Sequence, residues 1–230
     1  MRAHLLPVLF ALCSSLAAGN VLRVGPGQPF ADIGAALAVA ADGDVILVDP
    51  AGGVYPSFLL SGRSVAILST GGPGSPFTVP NFTVVGLSAT QTATISHCRI
   101  AWSNGSVPAI RIASCNGSVQ MEAVGITATG TLTQIAPRGA IEVLNCRAVW
   151  MTGVSVTPLV PGSTSATWPQ APNNAGLSAV FADRSLLLLD AVDLRGFDAT
   201  APALSGFGGD AVRLEGACTV HLLGGVAVGT

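Results

Sequence analysis

The most constraining feature of the sequence is a strand-like pattern that recurs five times. The five segments begin at Ile95, Met121, Met151, Leu189 and Leu223. Their central apolar position is occupied by Cys98, Val124, Val154, Val192 and Val226. Apolar residues alternate with other residues around this position, which is typical of a β-strand with one buried face. The sequence therefore predicts five equivalent strands joined by loops of unequal length.

A second alternating strand precedes four of these segments. These preceding strands begin at Ala109, Ala140, Ala179 and Ala211. Repetition of a strand unit every few tens of residues is typical of a solenoid, in which each coil buries the same inward positions against its neighbours. A β-sandwich also has many short strands, but it gives no reason for the strands to match from repeat to repeat. We therefore expect an all-β protein that is a parallel β-solenoid.

A short helix is predicted before the repeats. Apolar residues at Phe30, Ile33, Leu37 and Ala40 follow helical spacing, and the turn residues 42–44 end the pattern before a strand over 45–48. A solenoid needs a cover on its first coil, and an amphipathic helix placed here can provide one. We expect a short N-terminal capping helix.

Two stretches of the sequence resemble a known superfamily. The stretch "RVGPGQPFADIGAALAVAADGDVILVDPAGGVYP" resembles the amino-terminal end of right-handed parallel β-helix proteins of the pectin lyase-like superfamily, pectinesterases included, and "GGDAVRLEGACTVHLLGGVAV" resembles their repeats. The resemblance covers nearly all of residues 20–230 and implies a right-handed parallel β-helix. It also implies extracellular polysaccharide as a partner. Such folds host many different activities.

The catalytic motifs of that superfamily are missing from the chain. Neither the "QDTL" and "DFIFG" signatures of pectinesterase-like enzymes nor the "NTD" of polygalacturonase-like hydrolases occurs. The "GGDAVRL" stretch is similar to their "DDCVAI", with Asp210 at the second Asp but Gly209 in place of the first. Glycoside hydrolysis needs a pair of carboxyl groups. We therefore expect no catalytic site in these residues, and Asp210 is a candidate sugar contact or a turn residue.

Composition and charge exclude several partner classes. The formal net charge is −2, and the ten basic residues, all arginine, are scattered along the chain. Nucleic acid and anionic lipid call for a clustered positive patch, so we expect neither as a partner. The cysteine spacing fits no metal motif, and nothing indicates a cofactor.

The first nineteen residues have the pattern of a secretory signal peptide. They combine a basic start, an apolar run that is too short for a membrane span, and small residues before Asn20. We expect residues 1–19 to be removed and 20–230 to form one β-helix domain without a membrane span. The protein is then secreted, attached to the cell surface or periplasmic. Because the sequence stops at Thr230 inside a strand pattern, we expect the domain to be truncated or to continue.

Candidate carbohydrate contacts lie on outward positions and in the longest loop. If Ile110, Ile141, Val180 and Val212 point inward, the next residue in each strand points outward. These outward residues are Arg111, Glu142, Phe181 and Arg213. Neighbouring side chains in such a ladder could form an Arg111–Glu142 ion pair, and a Phe181–Arg213 cation–π pair or sugar platform. Trp168, in the Pro-rich excursion before Ala179, is a further candidate.

Two cysteines occupy equivalent slots on neighbouring coils. Cys115 and Cys146 could form a disulfide between coils, since stacked Cα atoms lie within bridging range, or they could be packed thiols. An exported location permits the disulfide. Cys98 occupies an inward slot that is otherwise filled by valine, so a buried small side chain is expected.

The functional expectation is an exported scaffold or surface-associated protein without catalysis. One alternative is a carbohydrate-active enzyme of the lyase, esterase or hydrolase type, whose catalytic coils lie partly beyond the C-terminus. A second alternative is a polysaccharide-binding module that uses Trp168, Phe181, Arg213 and Asp210.

Overall fold

The structure is a computed structural model, and it describes residues 19–103, 106–128, 138–157, 178–195 and 210–228. Its elements are, in chain order, β1 (Val21–Val24), α1 (Ile33–Val39), β2 (Asp44–Val48), a 3₁₀ turn (Pro50–Gly52), β3 (Phe58–Ser61), β4 (Val65–Ser69), β5 (Phe77–Val79), β6 (Phe82–Val85), β7 (Thr92–Trp102), β8 (Ile110–Ala113), β9 (Ser118–Ala128), β10 (Gly139–Leu144), β11 (Ala148–Thr152), β12 (Ser155–Thr157), β13 (Ser178–Asp183), β14 (Leu186–Asp190), β15 (Val192–Arg195), β16 (Val212–Glu215), β17 (Thr219–Leu222) and β18 (Gly225–Val228).

The described strands form two parallel sheets. The main path of a twelve-stranded sheet runs β1-β2-β4-β7-β9-β11-β14-β17, with β5, β12, β15 and β18 beside it. A six-stranded sheet has the order β3-β6-β8-β10-β13-β16. Parallel neighbours need a crossover connection; for β1 and β2 it contains α1, and for the other pairs it contains a strand of the other sheet. The predicted all-β architecture with parallel sheets is confirmed.

Equivalent inward residues stack directly over one another. In the twelve-stranded sheet the register aligns one column of fully buried side chains, which are Ile46, Ile67, Ile95, Met121, Met151 and Leu189. In the six-stranded sheet Ile110, Ile141, Val180 and Val212 share one register, as the alternation predicted. Each inward side chain thus contacts its counterpart on the next strand, and one continuous core runs between the sheets.

The predicted central column is confirmed for four of its five members. Cys98, Val124, Val154 and Val192 are all buried. The fifth assignment was wrong by one residue, because Val226 lies opposite Asp193 and it is Gly225 that pairs with Val192. The same shift places Leu222 rather than Leu223 opposite Leu189. Two consecutive leucines and two consecutive glycines make both registers compatible with alternation.

Two columns of left-handed residues mark the corners of the repeating unit. At the end of the six-stranded sheet they are Gly62, Gly86, Ser114, Asn145, Arg184 and Gly216, with φ between 47° and 67°. Inside the twelve-stranded sheet they are His97, Ala123, Gly153 and Ala191, with φ between 48° and 61°. A residue in this conformation turns the backbone sharply, so the chain changes direction at the same place in each repeat.

The predicted helix is present as α1, and its buried residues Ile33, Ala36 and Leu37 join the core. Asp32 caps its amino end by accepting from the backbone N–H of Ala35 at 2.7 Å. The guanidinium of Arg63 donates to the carbonyl groups of Leu37 and Ala40 at the other end. Both ends of this short helix are therefore satisfied.

A buried aspartate fixes the turn that follows the helix. The carboxylate of Asp44 is 3 % exposed and accepts from the backbone N–H groups of Ala41 at 2.8 Å and Asn20 at 2.7 Å. These hydrogen bonds lower the pKa of the Asp44 carboxyl below its usual value. Asp44 therefore ties the first strand to the start of β2 in its ionised form.

Candidate functional site

The outer face of the six-stranded sheet carries two columns of outward side chains. One column is Arg111, Glu142, Phe181 and Arg213, in the register that the sequence predicted. The other column, two residues further along each strand, is Ala113, Leu144, Asp183 and Glu215. Parallel strands lie about 4.8 Å apart, so these eight positions form a compact grid.

A cleft of about 330 Å³ opens over this grid, and we call it the arginine cleft. Its lining residues are Arg111, Arg138, Glu142, Leu144, Asn145, Phe181, Asp183 and Arg184. Three guanidinium groups and two carboxylates thus line one cavity, whose volume lies at the lower end of the range for ligand pockets.

Arg138 covers the aromatic ring at the base of the cleft. Its guanidinium carbon lies 4.9 Å from the centroid of Phe181, and one of its nitrogens donates to Glu215 at 3.0 Å. Phe181 has no exposed surface. The predicted partner of Phe181 was Arg213, but the side chain of Arg213 instead pairs with Glu215 at 3.4 Å. The ring is therefore not accessible to a sugar while Arg138 lies over it.

Glycine permits the close approach of the strands beside this ring. A side chain at Gly139 would place its Cβ 2.7 Å from the backbone nitrogen of Phe181. Gly139 therefore lets β10 begin directly against β13, with Arg138 at the position from which it can lie over the ring.

The two carboxylates of the cleft have local partners. Glu142, 9 % exposed, accepts from the backbone N–H of Arg138 at 2.9 Å. Asp183 accepts from two nitrogens of Arg184 at 3.1 and 3.2 Å. The predicted Arg111–Glu142 ion pair is not present among the described residues, and Arg111 is exposed without a carboxylate partner there. Arg111 is thus the cation of the cleft that is available to an anion.

The other predicted sugar contacts lie elsewhere. Asp210 is exposed and its carbonyl accepts from the backbone N–H of Ala179 at 3.0 Å, but it does not line the cleft. Arg213 lies in the ladder without lining the cavity. Trp168 lies outside the described residues.

Arg138 and Arg184 carry no signal in the sequence pattern that identifies them as cleft residues. Arg184 follows strand β13 at the corner, where its positive φ takes it out of the alternation that identifies outward residues. Arg138 precedes β10, so alternation does not specify its direction either. The sequence pattern predicts an ion pair for Glu142. Its position in the cleft depends on how three neighbouring strands stack, which the alternation within one strand does not indicate.

The cysteines of the described chain are free thiols. Cys115 and Cys146 are buried in one column beside Ser185, and Cys146 donates to the carbonyl of Leu144 at 3.3 Å. The hydrogen bond with Cys115 and burial raise the pKa of the Cys146 thiol. Burial raises the pKa of Cys98 as well. These environments favour neutral thiols at Cys98 and Cys146, whereas the hydrogen bond with Cys146 lowers the pKa of Cys115 to about 7.

No group of ligating side chains suited to a metal ion occurs among the residues that the structure describes. Within the same residues, none of the helices combines the length and the apolar character that a membrane span requires. Comparison of the chain with protein-family models, with curated proteins and with solved structures finds no match.

Proposed function

We propose that the chain is an exported right-handed parallel β-helix protein, of the pectin lyase-like type, that binds acidic extracellular polysaccharide without cleaving it. The observation that carries the binding proposal is the arginine cleft, and above all the exposed guanidinium of Arg111, which lacks a carboxylate partner among the described residues.

The β-helix interpretation is supported by the repeating unit. Each described repeat has one strand in the six-stranded sheet and then strand segments in the twelve-stranded sheet. All six have a left-handed residue at the end of the first strand, and four have a second one inside the twelve-stranded sheet. Inward residues of successive repeats are paired in register. Crossovers between parallel strands are right-handed in nearly all proteins, which favours a right-handed winding. The signal-like residues 1–19 support export.

Acidic sugars match the charge arrangement of the cleft. Guanidinium groups bind carboxylates through paired, charge-assisted hydrogen bonds. Because the guanidinium is planar and rigid, an arginine side chain loses little conformational entropy for each hydrogen bond that it forms. Of the three arginines in the cleft, Arg138 pairs with Glu215 and Arg184 with Asp183. A ligand carboxylate at Arg111 would thus gain a partner without breaking an existing ion pair.

The carboxylates of the cleft support binding rather than catalysis. Glu142 holds the backbone at Arg138, and Asp183 holds Arg184. The enzyme alternative is favoured by one observation, which is that these two carboxylates line the same cavity. Hydrolysis by such a pair would require one of them to be free to donate a proton.

The test is titration calorimetry with polygalacturonate, with fully methyl-esterified pectin as the matched ligand that lacks the charge. We expect the arginine cleft to bind polygalacturonate and not the esterified polymer. Arg111→Ala should weaken this binding about tenfold, as expected for loss of a charge-assisted hydrogen bond. Arg99→Ala, which removes an exposed arginine from the twelve-stranded sheet, is the control and should leave binding unchanged.

Three results would contradict the proposal. Equal binding of the esterified polymer would exclude recognition of carboxylates. Equal losses in the two arginine variants would indicate diffuse charge attraction instead of a site. New reducing ends that disappear in Glu142→Gln would establish the enzyme alternative.

A further inference from the structure

A second surface with the character of a ligand site lies on the outer face of the twelve-stranded sheet. Trp150, in the middle of β11, is 44 % exposed between the fully buried Val149 and Met151. Tryptophan combines a large apolar ring with a polar N–H and is enriched at interfaces, so an exposed tryptophan on a strand is a candidate ligand contact. Trp150 does not share a sheet with the arginine cleft, because β11 belongs to the twelve-stranded sheet.

The described tryptophans differ in how their indole N–H groups are used. Trp102 is fully buried and its Nε1 donates to the carbonyl of Val107 at 2.9 Å. For Trp150 no acceptor is present among the residues described here. Trp102 therefore has a structural role in the core, whereas the side chain of Trp150 is exposed on the sheet surface.

The register places a mixed row of side chains along this face. Gln120 lies on the strand before Trp150, Leu188 on the strand after it, and His221 on the next. We call this row the tryptophan strip. Gln120 and His221 are exposed and Leu188 is half-buried. The row thus places two apolar side chains between two hydrogen-bonding ones, at the spacing of the strands, about 4.8 Å.

Polar side chains also flank the strip. Two residues further along the same strands are Glu122, Thr152 and Asp190. Glu122 and Thr152 are exposed and Asp190 is half-buried. An apolar aromatic face bordered by hydroxyl, amide and carboxylate groups is complementary to a ligand with an apolar face and many hydroxyl groups.

We propose that the tryptophan strip binds an uncharged polysaccharide, with one pyranose ring stacked on Trp150. The C–H face of the sugar covers the indole ring, the hydroxyl groups of that sugar bond to Gln120 and Glu122, and those of the next sugar in the chain bond to His221. Trp150 and His221 are two strands apart, about 10 Å, which is comparable to the length of two linked sugars. The site is independent of the arginine cleft, and its ligand is neutral because the nearby carboxylates repel an acidic one.

A second copy of the chain fits this surface less well. A stable protein interface buries on the order of 1,000 Å² or more, with few charges at its centre. The strip contains one tryptophan and one leucine, so its apolar area is small. Burial of the Glu122 and Asp190 carboxylates against another copy would remove them from water, which costs free energy. A sugar chain leaves both carboxylates in water or bonded to hydroxyl groups.

The experiment follows tryptophan fluorescence of the full-length protein during titration with cellohexaose and with mannohexaose. We expect a saturable change in emission with at least one of these ligands. Trp150→Ala should abolish the change and, by titration calorimetry, weaken binding about tenfold or more, whereas Trp150→Phe should retain part of the affinity in the same calorimetric measurement. Leu59→Ala removes another exposed apolar side chain, on the six-stranded sheet, and is the control that should bind normally.

Several results separate this inference from the proposed function. Arg111→Ala should not affect binding of the neutral ligands, and Trp150→Ala should not affect binding of polygalacturonate. The near-ultraviolet circular dichroism of buried Trp102 reports whether each variant is folded. The inference is overturned if neither hexaose binds, if Trp150→Ala binds as well as the parent protein, or if emission changes with protein concentration alone, which would indicate self-association.

Discussion

The substitution Ile95→Ala tests the stacked core most directly. Ile95 is fully buried on β7, with Ile67 on one neighbouring strand and Met121 on the other, both at the same register position. Its shortening removes about three methylene equivalents, worth about 2.4 kcal/mol of transfer free energy at about 0.8 kcal/mol each. The hydrogen-bonded strands on both sides prevent collapse of the cavity. The total loss in free energy of unfolding should therefore be about 3–4 kcal/mol.

Urea unfolding at 25 °C, followed by far-ultraviolet circular dichroism, measures this loss. The midpoint should fall while the dependence on urea concentration stays unchanged. The control is Thr94→Ala, whose side chain lies on the opposite face of the same strand and is half-buried. It should cost less than about 1 kcal/mol. If Thr94→Ala costs as much as Ile95→Ala, the assignment of the inner and outer faces is wrong.

Further predictions concern a corner, a carboxylate and the thiols. Gly153→Ala should lower the free energy of unfolding by about 1–2 kcal/mol, because φ is 61° there, whereas Gly125→Ala, at an ordinary strand position, should cause no loss in the same urea assay. The stability that ionised Asp44 provides is complete above the pKa of the unfolded carboxyl, about 3.9, and is lost as the pH falls through the lower folded value. Asp44→Asn should therefore make the urea midpoint less dependent on pH below about 4. A thiol reagent should modify half-buried Cys218 of the native protein well before Cys98, and equal rates would contradict the burial of Cys98. After unfolding without reductant, mass spectrometry should find the Cys115 and Cys146 side chains alkylated, and protection of both would reveal a disulfide.

Much of the fold follows from alternation alone. The inward register of Ile110, Ile141 and Val180 was predictable because each is followed by one outward residue and then another buried one. The last repeat was misaligned because leucine follows leucine and glycine follows glycine there. Glycine has no side chain to distinguish the two faces, so only the pairing of whole strands decides between the registers.

The candidate sites were less predictable, for two different reasons. Alternation placed Phe181 outward correctly, but its burial depends on Arg138, which enters from outside the strand. No local pattern carries that information. Trp150, by contrast, had a usable signal, since it lies between two apolar residues that alternation directs inward. An exposed tryptophan between inward neighbours is therefore a feature worth seeking in such sequences.

The corner columns have a consequence for how this molecule can change in length. Ser114 and Asn145 have the same left-handed conformation and follow strands that are paired in register. If residue 113 were joined directly to residue 145, Asn145 would therefore take the place of Ser114 at the corner. Strand β8 would then lie beside β13, whose inward and outward residues alternate in the same register. Loss or gain of one complete repeat would therefore leave the inward and outward positions of the remaining strands in matching register.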